Sequence, residues 1–497
     1  MANARETAFF VLSSHSVPAM FASLPRQGKA LVLVCAISLV TIWTYRLPRL
    51  CIFDQCPNAP ASVIPCSRRL GHQQQGNGSD LDLSAPDAPF VAWPLARVCS
   101  ENKRWTPGLV FICDNNSGGI GNIRNFILTC LRYAIEAGAT GLALPTIQSR
   151  SAAKLADLFV GDQLPFDYFF DEAHFRRGLA EACPQITVYG ADLADVPGLD
   201  AEKPQGRRVG PIQITPNHFG RRGGCDVRDL NRHSARFGER FHAFLWEQDE
   251  SQQQQQRLGP TGVSKPRLVR MNWGVQWNWP VLQDGPEFAA SFGGLLRFRD
   301  DILSLGEKTA DAMQKLAASP GRDGRGFVGM HLRTESDALG TWPSFENQTA
   351  AYLARVAGLD PSPPRYAYLA TGNATEAAKL AAQAEAQQGL RVVTKHELLR
   401  LSNDGEAGEL LRQLDALSWD QQALVDFVVL LRCGFFLGVN PSSFSMNVAL
   451  KRHLREDGLL TRPWRIGDGD GDGRSWLVGR YDSYWEDWLF MYDSLWP

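Results

Sequence analysis

The feature that most limits the possible folds is a regular alternation of short apolar runs and helix-like stretches from Phe327 onward. The apolar runs predict strands and the stretches between them predict helices, namely strands at 327–332, 366–370, 391–394 and 435–439 and helices at about 374–388, 419–432 and 445–453. Such alternation is typical of a parallel sheet wrapped by helices. A similar strand, loop and helix begin at Leu109, and a strand-like segment spans 141–144. We therefore expect an α/β chain with two Rossmann-like domains that face a central cleft.

One arginine lies among potential acids where the predicted strand at 327–332 ends. The segment reads His331-Leu332-Arg333-Thr334-Glu335-Ser336-Asp337. In open α/β sheets, ligands bind outside the carboxyl ends of strands, and the planar guanidinium group of arginine suits phosphate oxygens. Arg333 is therefore a candidate contact for an anionic ligand. A solvated ion pair of Arg333 with Glu335 or Asp337 is the alternative interpretation.

A glycine-rich loop follows the apolar run at 109–113. It contains Gly118, Gly119 and Gly121 and ends at Asn122, and a helix-like stretch comes next. Glycines let the backbone turn tightly and approach a ligand closely, and the start of a helix supplies free N–H groups for an anion or a sugar hydroxyl. The loop is either part of a ligand site or only a turn.

A third segment, Ser442-Ser443-Phe444, follows the buried-looking run at 435–438 and precedes the last predicted helix. Serine side chains at this position would cap the helix. A helix N-terminus that carries hydroxyl groups is also a place where a pyrophosphate binds. Both interpretations remain open from the sequence.

In their order along the chain, these three segments resemble the GDP-fucose protein O-fucosyltransferase family over about residues 106–452. The resemblance implies the GT-B architecture, with donor contacts mostly from the carboxyl-terminal domain and the acceptor nearer the glycine loop. It also implies that Arg333 contacts the β-phosphate of the donor, together with His331 in the same segment. Ser442, Ser443 and Phe444 would hold phosphate and sugar.

Further matches to the family lie outside these three segments. The segment 369–373 is similar to a strand-end loop of the family, and Asp426 is similar to a helix residue on the guanine side of the donor. Arg452 resembles a basic residue that follows the serine segment. These matches extend the expected donor site to Asp426 and Arg452.

The catalytic base is not determined by the sequence. Some relatives carry a glutamate in the glycine loop, where this chain has Gly119, and others have an asparagine similar to Asn122. Glu335 and Asp337 are the nearest carboxylates in sequence to Arg333. A base must lie within hydrogen-bond reach of the acceptor, which sequence cannot show.

The resemblance implies an inverting glycosyltransferase that moves fucose from GDP-fucose to a hydroxyl group of a protein or glycan. A catalytically inactive sugar- or nucleotide-binding relative is one alternative, and a transferase with another donor such as GDP-mannose is a second. Arg333 and the hydroxyl and N–H groups at Ser442 and Ser443 would stabilise the departing diphosphate, so no metal ion or other cofactor is expected.

The amino-terminal part predicts a membrane anchor and a stem. Residues 30–45 carry no charge, and the basic residues on both sides do not fix an orientation. Because the candidate catalytic domains all lie on the carboxyl side, we favour a single-pass type II anchor at 30–46 after a cytosolic tail at 1–29. The run is short against the roughly 20 residues of a full span, and a core helix or a cleaved signal peptide are the alternatives. A flexible stem is expected at 47–105, because the composition is rich in Pro, Gln, Gly and Ser.

After the stem, we expect an acceptor-side domain at 106–325 and a donor-binding domain at 326–497. The catalytic part would lie in the lumen of the Golgi or endoplasmic reticulum. Four N-x-Ser/Thr sequons are compatible with that location, at Asn77, Asn115, Asn347 and Asn373. Asn115 and Asn373 lie in predicted site loops, so we expect them to be unmodified. Among the ten cysteines, some disulfides are expected, with no pairing deducible.

Charge and metal-ligand patterns exclude some functions. Lys and Arg number 51 against 53 Asp and Glu, so nothing indicates a nucleic-acid partner. No Cys or His spacing indicates zinc. The acidic stretch 467–473 begins like a calcium loop, but its twelfth position is Gly479, so a solvated loop is expected. A solvated loop is likewise expected at the glutamine run 252–256.

The chain ends in an aromatic tail. Its aromatic residues are Tyr481, Tyr484, Trp485, Trp488, Phe490, Tyr492 and Trp496. Packing against a domain surface is the main expectation, and stacking on an acceptor or a sugar is the alternative.

Overall fold

The computed structural model describes residues 81–151, 155, 160–199, 211–215, 219, 233–256, 266–318, 326–359, 364–402, 405–457 and 471–497. The expected cytosolic tail, the anchor at 30–46, the first part of the stem and most of the acidic stretch 467–473 lie outside these residues. No helix within the described ranges has both the length and the apolar character needed to cross a bilayer.

The first half contains a five-stranded parallel sheet. The strands of this sheet are β1 (Thr106–Ile112), β2 (Ala139–Ala143), β5 (Thr187–Tyr189), β6 (Ile212–Ile214) and β7 (Arg267–Met271). A separate antiparallel pair consists of β3 (Ile147–Gln148) and β4 (Gln163–Leu164). The order in the large sheet is β5-β2-β1-β7-β6, and all neighbours are parallel. Its helices are α1 (Trp93–Glu101), α2 (Ile120–Ala137), α3 (Glu172–Ala182), α4 (His233–Gln256), α5 (Pro286–Ser291) and α6 (Asp300–Ala317).

The second half contains another five-stranded parallel sheet, in the order β10-β9-β8-β11-β12. Its strands are β8 (Val328–His331), β9 (Tyr366–Ala370), β10 (Arg391–Val393), β11 (Phe435–Val439) and β12 (Ser475–Val478). Its helices are α7 (Phe345–Ala357), α8 (Ala374–Gln388), α9 (Lys395–Leu401), α10 (Ala407–Ala416), α11 (Trp419–Leu431) and α12 (Ser443–Asp457). The predicted α/β class and the four predicted strands of this half are confirmed, whereas α7, α9, α10 and β12 were not predicted.

Side-chain alternation explains why the central strands lie between two apolar layers. In β11, Phe435, Leu437 and Val439 belong to the cluster beneath α7 and α8. Phe436 points the other way, into the main core with α6 and α11. Because successive side chains of a strand face opposite sides, a strand buried on both faces reads as a continuous apolar run.

The two halves share one apolar core. Phe111 of the first sheet and Phe436 of the second belong to the same buried cluster. Helices α6 and α11 pack closely where Gly306 faces Val428, since a Cβ atom at Gly306 would lie 2.5 Å from the Val428 Cβ. This packing joins a helix of the first half to a helix that covers the second sheet.

The aromatic tail returns to the first half. Trp496 is fully buried and packs edge-on against Phe288 and Phe292, with ring centroids 5.5 and 4.9 Å away. Its backbone N–H donates to Asn125 Oδ1 at 3.1 Å. The main expectation for the tail, which was packing against a domain surface, therefore holds for Trp496. The surface belongs to the first half, whereas the sequence predicted that the tail belongs to the domain at 326–497.

The last part of the expected flexible stem at 47–105 is a packed helix. Helix α1 buries Leu95, Val98 and Cys99, which lie on one helical face. A disulfide joins Cys99 to Cys183 at the end of α3. The spacing of these apolar residues is the signal that the compositional argument for a stem overlooked.

The glutamine run also differs from its expectation. Helix α4 continues through Gln256, so 252–256 is helical and not a loop. Glutamine has a good intrinsic helix propensity, which permits the helix to extend through this run. From the acidic stretch, Asp472 accepts hydrogen bonds from the backbone N–H groups of Arg474 and Ser475 at 2.9 and 2.6 Å. That carboxylate thus fixes the start of β12.

Candidate functional site

The glycine loop and the serine segment meet at the starts of two helices. Gly121 lies in the first turn of α2, and Ser443 begins α12. A Cβ atom at Gly121 would lie 2.7 Å from the Ser443 carbonyl oxygen and 3.1 Å from the Phe444 nitrogen. Only glycine allows this approach of two backbones. The N-termini of both helices, each with free N–H groups, therefore lie side by side between the halves.

Gly118 and Asn122 complete the loop. Gly118 has a φ of 90°, a region that suits glycine. A Cβ atom there would lie 2.7 Å from the Asn122 side-chain nitrogen. Asn122 is half-buried in the first turn of α2. The backbone conformation thus places the Asn122 amide against the loop.

Arg333 lies just beyond the carboxyl end of β8 and pairs with both neighbouring acids. Its Nη1 donates to Glu335 Oε2 at 2.6 Å, and its Nη2 donates to Asp337 Oδ1 at 2.7 Å. The guanidinium carbon lies 5.4 Å from the centre of the Trp342 ring. The side chain is only 13% exposed. The ion pair that the sequence offered as an alternative does form, but it is buried rather than solvated.

A second arginine, from the first half, joins this cluster. Arg150 Nη2 donates to Asp337 Oδ2, and the Arg150 backbone N–H donates to Asp420 Oδ2 at 3.0 Å on α11. A Cβ atom at Gly119 would lie 3.9 Å from Arg150 Nη1. Asp337 is therefore shared by an arginine of each half, beside the glycine loop.

The charges of the cluster keep both acids ionised. Burial alone would raise the pKa of Asp337, but Arg333 and Arg150 outweigh it and lower that pKa. Burial likewise opposes ionisation of Glu335, whose pKa is nevertheless lowered by Arg333, by His331 and by the backbone N–H of Gly372. That N–H donates to Glu335 Oε1 at 2.7 Å. Since a carboxylate with a lowered pKa is a weak proton acceptor, both acids are better suited to orient Arg333 than to act as a base.

His331 links the arginine segment to the serine segment. Its Nδ1 lies 2.7 Å from Ser445 Oγ, and its ring centroid is 4.5 Å from that of Phe444. Ser445 Oγ also accepts from the backbone N–H of Val439 at 3.0 Å. Burial lowers the pKa of His331 to about 4, so the ring is neutral at pH 7. Ser445 was predicted only as the start of a helix, and its contact with His331 has no signal in the sequence.

Ser442 and Ser443 occupy the start of α12. Ser442 is buried, and its Oγ accepts a long hydrogen bond of 3.5 Å from the Ser445 N–H. Ser443 is half-buried. Of the two interpretations that the sequence left open, helix capping therefore applies to Ser442.

Asp426 is held by two groups of its own half. Its Oδ1 accepts from the Tyr368 hydroxyl at 2.6 Å, and its Oδ2 pairs with Lys395 Nζ at 2.7 Å. The side chain is 6% exposed. These contacts join α11 to β9 and α9, and the guanine contact expected for Asp426 stays a prediction.

The structure does not bring Arg452 to Arg333. The Arg452 guanidinium is buried and donates to five backbone carbonyls, those of Leu430, Leu431, Cys433, Gly434 and Arg474. These carbonyls precede β11 and β12, at the opposite edge of the sheet from Arg333. Arg452 thus caps the end of α11, which is a structural function.

Asp114 is a further acid that the sequence did not single out. It follows β1 at the start of the glycine loop, and its Oδ2 pairs with Arg270 at 2.9 Å. Burial raises the pKa of Asp114 despite the opposing charge of Arg270. In the described ranges, no group of His, Cys, Asp and Glu is arranged to hold a metal ion.

The first prediction concerns the contact between the two helix starts. We expect Gly121→Ala to destabilise the protein by roughly 1–3 kcal/mol, because its methyl group must displace the Ser443 backbone. Gly119→Ala is the matched control, since its methyl group would meet only Arg150 at 3.9 Å. Urea unfolding measures both variants. Equal stability of the two would show that the helix starts do not touch.

The second prediction concerns His331. The unfolded chain binds a proton at this ring near pH 6.5, whereas the folded protein does so only near pH 4. Stability from this residue is therefore complete above about pH 6.5 and falls as the pH decreases towards 4, by roughly 3 kcal/mol in total. Urea unfolding at pH 7.5 and pH 4.5 should show a smaller loss for His331→Gln than for the wild type. Parallel losses would contradict the buried neutral ring.

Comparison with known proteins adds three solved structures. POFUT1 in complex with GDP-fucose is 12% identical, with 76% of this chain and 99% of that chain covered and a TM-score of 0.41. NodZ from Bradyrhizobium is 16% identical, with 70% and 93% covered and a TM-score of 0.36. FUT1 from Arabidopsis thaliana, in complex with GDP, is 12% identical, with 72% and 71% covered and a TM-score of 0.32. No curated protein matches the chain.

A family model gives the assignment. The model of the GDP-fucose protein O-fucosyltransferase family matches residues 109–455, which is well over half of the chain. The matched range includes the glycine loop, Arg333 and the serine segment. The chain therefore belongs to the GDP-fucose protein O-fucosyltransferase family, a family of glycosyltransferases that use GDP-fucose.

Proposed function

We propose that this protein transfers fucose from GDP-fucose to a hydroxyl group of a protein or glycan acceptor in the secretory pathway, with inversion at the anomeric carbon. The observation that carries the proposal is the meeting of Arg333, the glycine loop and the start of α12 between the two halves. Arg333 reaches the first half through Asp337 and Arg150, and Gly121 touches Ser443. A guanidinium group and two helix N-termini then face the same gap, and each attracts phosphate.

In the proposed reaction, the acceptor oxygen forms a bond to the anomeric carbon of fucose. The bond from that carbon to the β-phosphate oxygen breaks, and its electron pair leaves with GDP. Arg333 would neutralise the charge that develops on the leaving phosphate, with help from N–H and hydroxyl groups at Ser442 and Ser443. The acceptor proton passes to a base.

Among Asp114, Glu335 and Asp337, Asp114 is the acid that we propose to accept that proton. Its raised pKa makes it a stronger base than Glu335 or Asp337, whose pKa values are lowered. It also lies on the loop that carries Gly118. Asn122, in the same loop, would position the acceptor or the donor phosphate.

We propose that Arg333 and Arg150, called here the charge clamp, neutralise the phosphates without a metal ion. Arg333 and Arg150 supply two positive charges at the gap, and arginine forms paired hydrogen bonds to phosphate oxygens. This is the function that a divalent cation performs in other phosphate sites.

A lumenal location is supported by the disulfides. Cys99 pairs with Cys183, and Cys113 pairs with Cys130. Disulfides persist in oxidising compartments and are rare in the cytosol. We propose that residues 30–46 anchor the catalytic part to the Golgi or endoplasmic reticulum membrane as a type II protein.

The third prediction tests the donor site. Arg333→Lys keeps one positive charge beside Glu335 and Asp337 but loses the planar fork, so we expect GDP-fucose turnover to fall by about 10²-fold or more. Release of GDP from GDP-fucose measures turnover, and the melting temperature reports folding. Arg412→Lys is the matched control because Arg412 is 76% exposed on α10.

Two outcomes would contradict this proposal. A folded Arg333→Lys protein with wild-type turnover would exclude the clamp. Wild-type protein that is stabilised by GDP but releases none from GDP-fucose would favour the inactive relative, or another donor if GDP-mannose is consumed instead.

The fourth prediction concerns metal ions. We expect GDP-fucose turnover by the wild type to remain within about twofold after EDTA treatment, because the positive charges come from side chains. Turnover is compared before and after dialysis against EDTA, with manganese added back to one portion. A loss in EDTA that manganese restores would overturn the metal-free mechanism.

A further inference from the structure

A cavity of about 320 Å³ lies next to the donor site on the second half. Its walls come from loops at the carboxyl ends of β8, β11 and β12 and from the aromatic tail. This is the edge of the sheet where ligands bind in open α/β folds. Its volume is that of a small-ligand site.

The cavity shares its walls with the donor site. Trp342 lines the cavity and also lies against the guanidinium group of Arg333. Pro441 lines the cavity and directly precedes Ser442. A molecule in the cavity would therefore lie beside the groups that are proposed to hold the β-phosphate.

The lining has the composition of a carbohydrate site. Trp342 and Trp488 contribute aromatic rings, and Asn347, in its unglycosylated form, and Glu486 contribute an amide and a carboxylate. Aromatic faces pack against the apolar C–H faces of pyranose rings, while amides and carboxylates bond to their hydroxyl groups. Both chemical features of a sugar are thus matched.

The charges of the lining disfavour a nucleotide or a phosphate. Arg480 is the one cation among the described residues that line the cavity. Its Nη2 pairs with Asp487 Oδ1 at 2.9 Å. With Glu486 unneutralised by a second cation in the lining, a neutral ligand fits better than an anion.

The wall that carries Trp488 is held in place. Asp487 Oδ2 accepts from the N–H groups of Asp482 and Ser483 at 3.0 and 2.9 Å, and its carbonyl accepts from Asn440 Nδ2 at 3.3 Å. Trp488 itself has a φ of 60°, which is unusual for a bulky residue. The surrounding contacts hold it in this conformation, as is often found at binding sites.

We propose that this cavity is an acceptor subsite that binds a neutral pyranose unit, so that the acceptor is a glycan. The inference rests on the proposed function, because the cavity is assigned to the acceptor through its position beside Arg333. The ligand class itself rests on the lining. A protein acceptor without sugar is the alternative that the experiment distinguishes.

The fifth prediction uses Trp488→Gly, because glycine tolerates the positive φ and removes the ring. Saturation-transfer NMR with methyl glycosides of glucose, galactose, mannose, N-acetylglucosamine and fucose detects binding. We expect at least one glycoside to bind the wild type and to lose at least tenfold in affinity in Trp488→Gly. Trp488→Phe should retain binding within a few fold. Trp485→Ala, which removes an exposed tryptophan from the same segment, should bind as the wild type does.

A second variant covers the case in which Trp488→Gly does not fold. Asn347→Trp adds bulk from the exposed start of α7 and should block the cavity without altering the tail. Binding of every glycoside at wild-type affinity by a folded Trp488→Gly or Asn347→Trp protein would overturn the proposal. No binding by the wild type, or transfer only to sugar-free peptides, would do the same.

Failure of the donor function gives a different result. Glycoside binding is measured without GDP-fucose, so it tests the cavity even when the protein releases no GDP. Stabilisation by GDP is measured separately on the same proteins. A wild-type protein that binds a glycoside but does not bind GDP would contradict the proposed transfer and would still have a sugar-binding site.

Discussion

The interaction on which the site depends is the sharing of Asp337 by Arg150 and Arg333. One carboxylate accepts from an arginine of each half, and both arginines are largely buried. A buried charge is costly unless it is paired, so removing either partner would leave the others uncompensated. The relative position of the halves at this point is therefore coupled to the orientation of Arg333. The close contact of Gly121 with Ser443 fixes the same gap from the other side.

The charge balance of this cluster determines how a donor would enter. Arg150 and Arg333 carry two positive charges, and Glu335 and Asp337 carry two negative charges, so the four groups are neutral together. A diphosphate adds negative charge and must take over guanidinium hydrogen bonds that the carboxylates now occupy. Glu335 can be released while still bonded to the Gly372 N–H. In the proposed function, the acids would act as placeholders that keep Arg333 extended towards the gap before the donor arrives.

The sequence predicts those parts of the site that are local in the chain. Arg333 follows a strand, and the glycines precede a helix, so apolar periodicity and turn chemistry were sufficient to place them at a strand end and at a helix start, while their donor roles came from the family resemblance. Arg150 was missed because its partner Asp337 is 187 residues away, and no local pattern marks it. Arg452 was expected near the donor because it resembles a basic residue that follows the serine segment in the family. Nine residues of helix place it about 14 Å further along α12, at the other edge of the sheet.

The partners of the buried cations explain why Arg333 differs from the others. Arg452 donates to neutral backbone carbonyls. If a phosphate took over these hydrogen bonds, the buried carbonyls would be left without a donor. Lys395 forms one pair with Asp426 inside the second half. Arg333 instead bonds to carboxylates that each have a second partner, because Glu335 also accepts from the Gly372 N–H and Asp337 also accepts from Arg150, so neither acid is left unpaired when a phosphate bonds to Arg333. Arg333, which is buried against anions with Trp342 on its face and a cavity lined by the same ring, therefore fits the proposed exchange of a carboxylate for a phosphate.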